Sequence, residues 1–302
     1  MTVAKSSFDI SANFDSGNIQ VIDISNPLNP VLAIRPDTRS AHFQWFHFKA
    51  SGLHVHQEHW FRLVNASQSS YNKAWTGYQA VASYDHVNWF RIPTSFEGDS
   101  LRFCLEAEQT HAWFAYFEPY PRARHNQLIE RARQIPGVEL LASGRSVQGR
   151  DIPLLRAGDG AAGKRKLWLI AQQHPGEHMA EWFMEGVIDR LQASDEVLQG
   201  LLAKADLYLI PNMNPDGAFL GHLRTNFKGK DLNRAWQDAS VELTPEVFFA
   251  QAQMKQYGVD AFITCMVTKK FRTYSLPPAR ATRATHHGWQ NSKSSSAALC
   301  AA

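Results

Sequence analysis

The sequence predicts an antiparallel β-sandwich followed by an α/β domain with a mostly parallel sheet. Three observations lead there. From Phe8 to about Pro121 short alternating segments separated by turn clusters run on with no helical pattern between them. After Pro119-Tyr120-Pro121, strand-like and helix-like segments alternate instead, which calls for a sheet covered by helices. Within that second part, Leu167–Gln192 joins a continuous apolar run to an amphipathic stretch across a turn carrying His174 and Glu177.

In chain order, period-2 patterning predicts strands over Asn18–Ile24, His42–Phe48, Trp60–Val64, Trp89–Ile92 and Trp113–Phe117. His54, His56 and His59 share this region. No carboxylate or cysteine cluster joins them, so surface histidines are the expected reading rather than a metal site. Arg122–Arg133 reads as a helix stopped by Pro136-Gly137, and Val138–Leu141 with Asp151–Leu155 as a hairpin.

Leu167–Ile170 is short, apolar and uninterrupted, as a strand buried on both faces must be. After the turn, Met179, Trp182, Phe183, Gly186, Val187 and Leu191 recur at helical spacing opposite Glu181, Glu185, Asp189 and Arg190. A further strand is expected at Leu207–Ile210, then a loop to Trp236. A helix capped by Thr244 with Pro245 at its first position should end at Gly258 and feed a strand at Val259–Ile263.

Composition narrows the function classes. The 302 residues are 44% hydrophobic and 12% aromatic, enough for two cores, and no apolar run is long enough to span a bilayer or act as a secretory h-region. Three widely spaced cysteines form neither a disulfide framework nor a zinc knuckle, and the cytoplasm is the expected compartment. The net charge of +3 comes from residues 261–302, which hold Lys269, Lys270, Arg272, Arg280, Arg283 and Lys293 and no acid. The remaining 260 residues are net acidic, so neither a nucleic acid nor a membrane is an expected partner.

His174 and Glu177 lie where open parallel sheets place ligands, outside a strand's carboxyl end. Imidazole nitrogen with carboxylate oxygen suits Zn2+. A helix-entry glutamate beside a backbone-bonded histidine is the plain alternative. His174-Pro175-Gly176-Glu177-His178 also fits the inverted-zincin pattern H-x-x-E-H, but that needs one helix face, and Pro175 and Gly176 would cost about 3 and 1 kcal/mol inside a helix. Further on come Pro211-Asn212-Met213-Asn214-Pro215-Asp216-Gly217, Arg224-Thr225-Asn226 and Asp231-Leu232-Asn233-Arg234. Arginine forks and an asparagine near such a turn are what recognition of a carboxylate or an oxyanion requires.

Through these four motifs, over roughly Phe8 to Ile263, the chain resembles the zinc metallocarboxypeptidases of the carboxypeptidase A superfamily, and most closely their cytosolic carboxypeptidase branch, in which a β-sandwich also precedes the catalytic domain. The resemblance implies hydrolysis of the C-terminal residue of peptides or proteins. It makes His174 and Glu177 zinc ligands, with Asp231 behind them fixing the His174 tautomer. Arg224 would polarise the scissile carbonyl and stabilise the oxyanion, and Asn233 and Arg234 would grip the substrate's terminal carboxylate.

The resemblance also implies a third ligand, a His in an Asp-x-His-Gly-Asp-Glu segment, and a general-base Glu much further on. The strand at Val259–Ile263 runs instead into Thr264-Cys265-Met266-Val267-Thr268-Lys269-Lys270, and the pair His286-His287 is far out of register. Permitted codons for Thr264–Phe271, with one G placed before them, read in the neighbouring frame as Asp-Met-His-Gly-Asp-Glu-Glu-Ile. The sequence therefore divides into a sandwich (1–120), a partial α/β domain (121–263) and an out-of-frame tail (264–302). Either such a frameshift leaves the chain inactive, or it is a catalytically silent peptide-binding pseudoenzyme.

Overall fold

The computed structural model describes residues 8–266. Ten strands build the first unit: β1 (Asp9–Ser11), β2 (Gln20–Asp23), β3 (Val31–Ala33), β4 (His47–Ser51), β5 (Glu58–Leu63), β6 (Val81–Ser83), β7 (Phe90–Arg91), β8 (Thr94–Glu97), β9 (Ser100–Glu106) and β10 (His111–Ala115). They form two five-stranded sheets, β1-β4-β10-β6-β7 and β2-β3-β5-β9-β8, antiparallel except for β3 beside β5. Alternation sets which face is buried. In β5, His59, Phe61 and Leu63 point inward while Glu58 and Trp60 face out. The two inner faces meet through phenylalanines, with Phe48 against Phe103 at 6.3 Å and Phe61 against Phe114 at 4.3 Å.

His42–Phe46 is not part of a strand. His42 and Phe43 bond to loops instead of a ladder, with Asp37 N–H donating to His42 O and Ser70 N–H to Phe43 O, and only Phe46 O, which accepts from Tyr116 N–H, leads into the strand pairing that starts at His47. His54 and His56 are exposed, as expected, but the third histidine near β5 is structural. His59 is buried, its Nδ1 lies 2.9 Å from Pro27 O, and its Nε2 accepts from the His54 amide.

The second unit contains α1 (Arg122–Arg133), β11 (Val138–Arg145), β12 (Asp151–Ala157), β13 (Arg165–Ala171), α2 (Met179–Ala193), α3 (Glu196–Leu202), β14 (Ala205–Ile210), α4 (Pro215–Leu220), α5 (Pro245–Tyr257) and β15 (Ala261–Cys265). The sheet order is β11-β12-β14-β13-β15. The expected hairpin makes the sheet mixed: β11–β12 and β12–β14 are antiparallel, β13–β14 and β13–β15 parallel. The chain passes from β13 to β14 on one side and returns to β15 on the other, so strand order reverses at β13. A crevice opens at the carboxyl ends there. Residues of α1, α2 and α3 pack in one core, and Val247 and Ala250 of α5 pack in another with Trp168, Tyr208 and Ile210.

Four details differ from the sequence reading. The buried stripe of α2 is Ala180, Met184, Ile188 and Leu191, and it includes Glu181 and Glu185 while Gly186 is exposed. The acids are buried because α1 supplies partners, His125 to Glu181, and Arg124 (2.7 Å) and Arg131 to Glu185. Thr244 occupies the cap position of α5, but its Oγ1 accepts from Ser240 N–H rather than from a helix amide. Short helix α4, capped by Asn214, replaces part of the expected loop to Trp236, and α3, capped by Asp195, lies where no element was expected. β15 runs to Cys265, two residues past the expected end of the domain, and beyond Met266 the expected tail lies outside the described residues, as do His286 and His287. No helix among the described residues is long and apolar enough to cross a membrane.

Candidate active site

β13 delivers the site. At its end Gln172 adopts φ 52°, a left-handed conformation that a side chain bearing Cβ seldom takes without support. The support is buried: Gln172 Nε2 donates to Pro175 O at 3.0 Å, and Gln172 Oε1 accepts from Asn212 Nδ2 at 2.7 Å. The chain then turns through Pro175 and Gly176, with Glu177 N–H closing on His174 O. Gly176 donates to Leu223 O, and a Cβ there would stand 2.9 Å from that oxygen, so the turn and the segment bearing Arg224 approach as closely as glycine permits.

Helix α2 starts only at Met179, so His174 and His178 share no helix face and the inverted-zincin arrangement is absent. His178 turns toward the sandwich instead. Its ring stacks on Trp45 at 4.1 Å, its Nδ1 accepts from Tyr120 N–H, and burial lowers its pKa to about 3.

His174 is the pivot. Its Nε2 lies 3.1 Å from Asp231 Oδ1 and its Nδ1 lies 3.3 Å from Glu177 Oε1. With Nε2–H donating to Asp231, the Nδ1 lone pair faces a carboxylate oxygen, an arrangement that attracts a positive charge between the two. Burial disfavours the His174 imidazolium, yet Asp231 and Glu177 outweigh it and raise its pKa above the ordinary histidine value. Burial pushes Asp231 upward, and His174 with Arg224 overcomes it to hold its carboxyl at about 2. Two donors about 2.0–2.1 Å from a tetrahedral zinc lie about 3.3 Å apart, so the His174–Glu177 spacing matches a shared metal edge. Among the described residues no group of three or more His, Cys, Asp or Glu side chains able to hold a metal occurs. The residues present thus fit zinc as a two-donor edge with its supporting carboxylate.

Arg224 joins the same network, its Nε donating to Asp231 Oδ2 at 2.8 Å and its Nη1 to Tyr71 Oη. Asn233 and Arg234 follow Asp231 in a 3₁₀ turn, Leu232–Arg234, in which the Asn233 amide donates to the Asp231 carboxylate at 2.9 Å. Arg234 is exposed and reaches Asn233 O at 3.5 Å. His174, Glu177, Asp231 and Arg224 therefore form one bonded cluster, with Asn233 and Arg234 attached through the backbone.

Sequence reasoning missed Asp37 and Tyr71, contributed by the sandwich, and the Gln173 side chain, which bridges Trp236 Nε1 (2.8 Å) and Thr264 Oγ1 (2.6 Å). No spacing or periodicity marks any of them. Only the local polarity of the Pro-Asp-Thr, Ser-Ser-Tyr-Asn and Gln-Gln-His runs sets them apart.

Two family models match: one described as the cytosolic carboxypeptidase N-terminal domain over residues 10–117, the other as zinc carboxypeptidase over residues 125–274. Among solved structures, a metallo-carboxypeptidase from Pseudomonas aeruginosa, in complex with (2-guanidinoethylmercapto)succinic acid, is 61% identical with a TM-score of 0.85, covering 87% of this chain and 70% of that one. A metallo-carboxypeptidase from Burkholderia cenocepacia is 38% identical with a TM-score of 0.84, covering 87% and 71%. A cytosolic carboxypeptidase 6 from Caenorhabditis elegans is 31% identical over 289 residues, 88% of this chain and 62% of the relative. An uncharacterised protein of Zymomonas mobilis is 41% identical over 254 residues, 83% of this chain. The chain spans 65% and 62% of the length of these two curated relatives.

Proposed function

The chain belongs to the zinc carboxypeptidase family, and from that premise we propose that it carries the ligand-binding part of a metallocarboxypeptidase that removes the C-terminal residue of peptides or proteins. The observation that carries this reading is the His174–Glu177 edge at 3.3 Å with Asp231 on the far imidazole nitrogen. His174 and Glu177 would hold Zn2+, which when bound supplies Lewis-acid activation of water and of the scissile carbonyl. Asp231 keeps the proton on His174 Nε2 so that Nδ1 stays a donor atom. Two of the five N–H donors of Arg224 are engaged, leaving others for an oxyanion. Asn233 and the exposed Arg234 would grip a terminal carboxylate, which would confine cleavage to the last residue. The cytoplasm is the proposed compartment, on the likeness to cytosolic carboxypeptidases.

A second reading, a catalytically silent peptide binder, is favoured by one observation: no third metal-binding side chain joins His174 and Glu177 among the described residues. Both readings require selectivity for a free carboxylate. A peptide with a free C-terminus should bind, and its C-terminal amide should bind at least tenfold more weakly; equal affinity would refute both. On the two-donor geometry, zinc is expected to bind too weakly to withstand a nanomolar chelator, and the 302-residue chain to release no C-terminal amino acid. Release that stops with chelator and with Glu177→Gln would establish the hydrolase and exclude the silent binder.

A further inference from the structure

We propose that the sandwich is a working part of the active site, with Asp37 and Tyr71 acting as positioning residues for Arg224. This rests on the reading of Arg224 as a substrate-facing group. The Asp37 carboxylate is buried and accepts four hydrogen bonds from consecutive donors: Leu223 N–H (2.6 Å), Arg224 N–H (2.8 Å), Thr225 N–H (2.9 Å) and Thr225 Oγ–H (3.0 Å). One carboxylate thus fixes the backbone on both sides of the arginine.

The same segment is clamped again by His222. Its Nδ1 donates to Thr225 O at 2.9 Å, while its Nε2 accepts from the Thr38 amide at 3.1 Å. The guanidinium itself is held from two units, at Nε by Asp231 and at Nη1 by Tyr71. Tyr71 is in turn fixed by buried Gln44, whose Oε1 accepts from Tyr71 N–H at 2.8 Å and whose Nε2 donates to Tyr71 O at 3.3 Å. A latch that merely docked two units would need the Asp37 contacts to the main chain. It would have no use for a phenol on the guanidinium. An arginine with four free torsions loses most of its value to a developing oxyanion unless it waits in place, and anchors at both ends supply that preorganisation.

The test uses the full 302-residue chain labelled with 15N, with the resonance of the Arg224 Nη1 proton donated to Tyr71 assigned through Arg224→Lys. Tyr71→Phe should speed solvent exchange of that proton about tenfold. It should also weaken binding of (2-guanidinoethylmercapto)succinic acid, measured by calorimetry, by about tenfold. In an Arg224→Lys background the same substitution should add little further loss of affinity, because the two residues act as one unit. Asp37→Asn should give a larger change in exchange; if it fails to fold, Tyr71→Phe alone decides. Unchanged exchange in Tyr71→Phe overturns the proposal, and so does a Tyr71→Phe affinity loss that is the same with and without Arg224. If the wild type shows the protected proton and the variants lose it but nothing binds the probe, the positioning role stands and the carboxypeptidase reading fails.

Discussion

Glu246, the second residue of α5, carries a pH dependence that the fold imposes on the loop behind Arg224. Its side chain is fully buried; Oε2 accepts from Asn226 Nδ2 at 3.2 Å and Oε1 makes no hydrogen bond of ordinary geometry. Burial first, and repulsion from buried Asp216 in addition, push its carboxyl from an ordinary 4.5 up to about 7 against the donors around it. A raised acid binds its proton more tightly when folded, so its contribution to stability is complete below about pH 4.5 and is lost as pH rises through about 7. A shift of about 2.5 units corresponds to about 3 kcal/mol, of which about 2–3 kcal/mol falls between pH 5 and pH 8. Glu246→Gln removes the titration and keeps the oxygen that Asn226 needs. Urea unfolding followed by tryptophan fluorescence at pH 5, 6, 7 and 8 should show the variant gaining about 2–3 kcal/mol on the wild type across that range. A stability difference that stays flat within about 0.5 kcal/mol would refute the buried-carboxylate argument.

Asp231→Asn removes the carboxylate behind His174 and should weaken zinc binding about 10–100-fold in a chelator competition, with little change in the circular dichroism spectrum. Asn226→Ala deprives Glu246 of its donor and leaves the Lys228 and Lys230 amides without their acceptor; a loss of about 2–4 kcal/mol in urea is expected, larger at pH 8 than at pH 5. Gly176→Ala forces a methyl group against Leu223 O and should cost about 1–3 kcal/mol together with zinc affinity, whereas Gly186→Ala, at an exposed helical site with no atom near its Cβ, should stabilise by about 0.5–1 kcal/mol. Phe103→Ala removes its contacts with Phe48 and Phe114 of the facing sheet and should cost about 3–5 kcal/mol.

The sequence by itself determined what short-range chemistry decides. Period-2 runs marked β2, β5, β7 and β10 of the sandwich, Pro121 and Pro136-Gly137 bounded the helix Arg122–Arg133, and the apolar run before His174 fixed a strand-turn-helix that needed no distant partner. The motifs carrying His174, Glu177, Arg224 and Asp231 were legible for the same reason, each being compact along the chain. Tertiary structure decided the rest. Which strand lies between β14 and β15 makes β13 the reversal point, and no local pattern encodes that order. The polar stripe of α2 looked solvated until α1 supplied Arg124, Arg131 and His125, and His42–Phe46 alternates like a strand yet His42 and Phe43 give their carbonyls to loops. Asp37 meets Leu223 across 186 residues, and Tyr71 meets Arg224 across 153. Contacts at such separations are selected by the burial of two whole domains against each other, a free energy spread over many side chains, so the residues that make them carry no periodicity of their own.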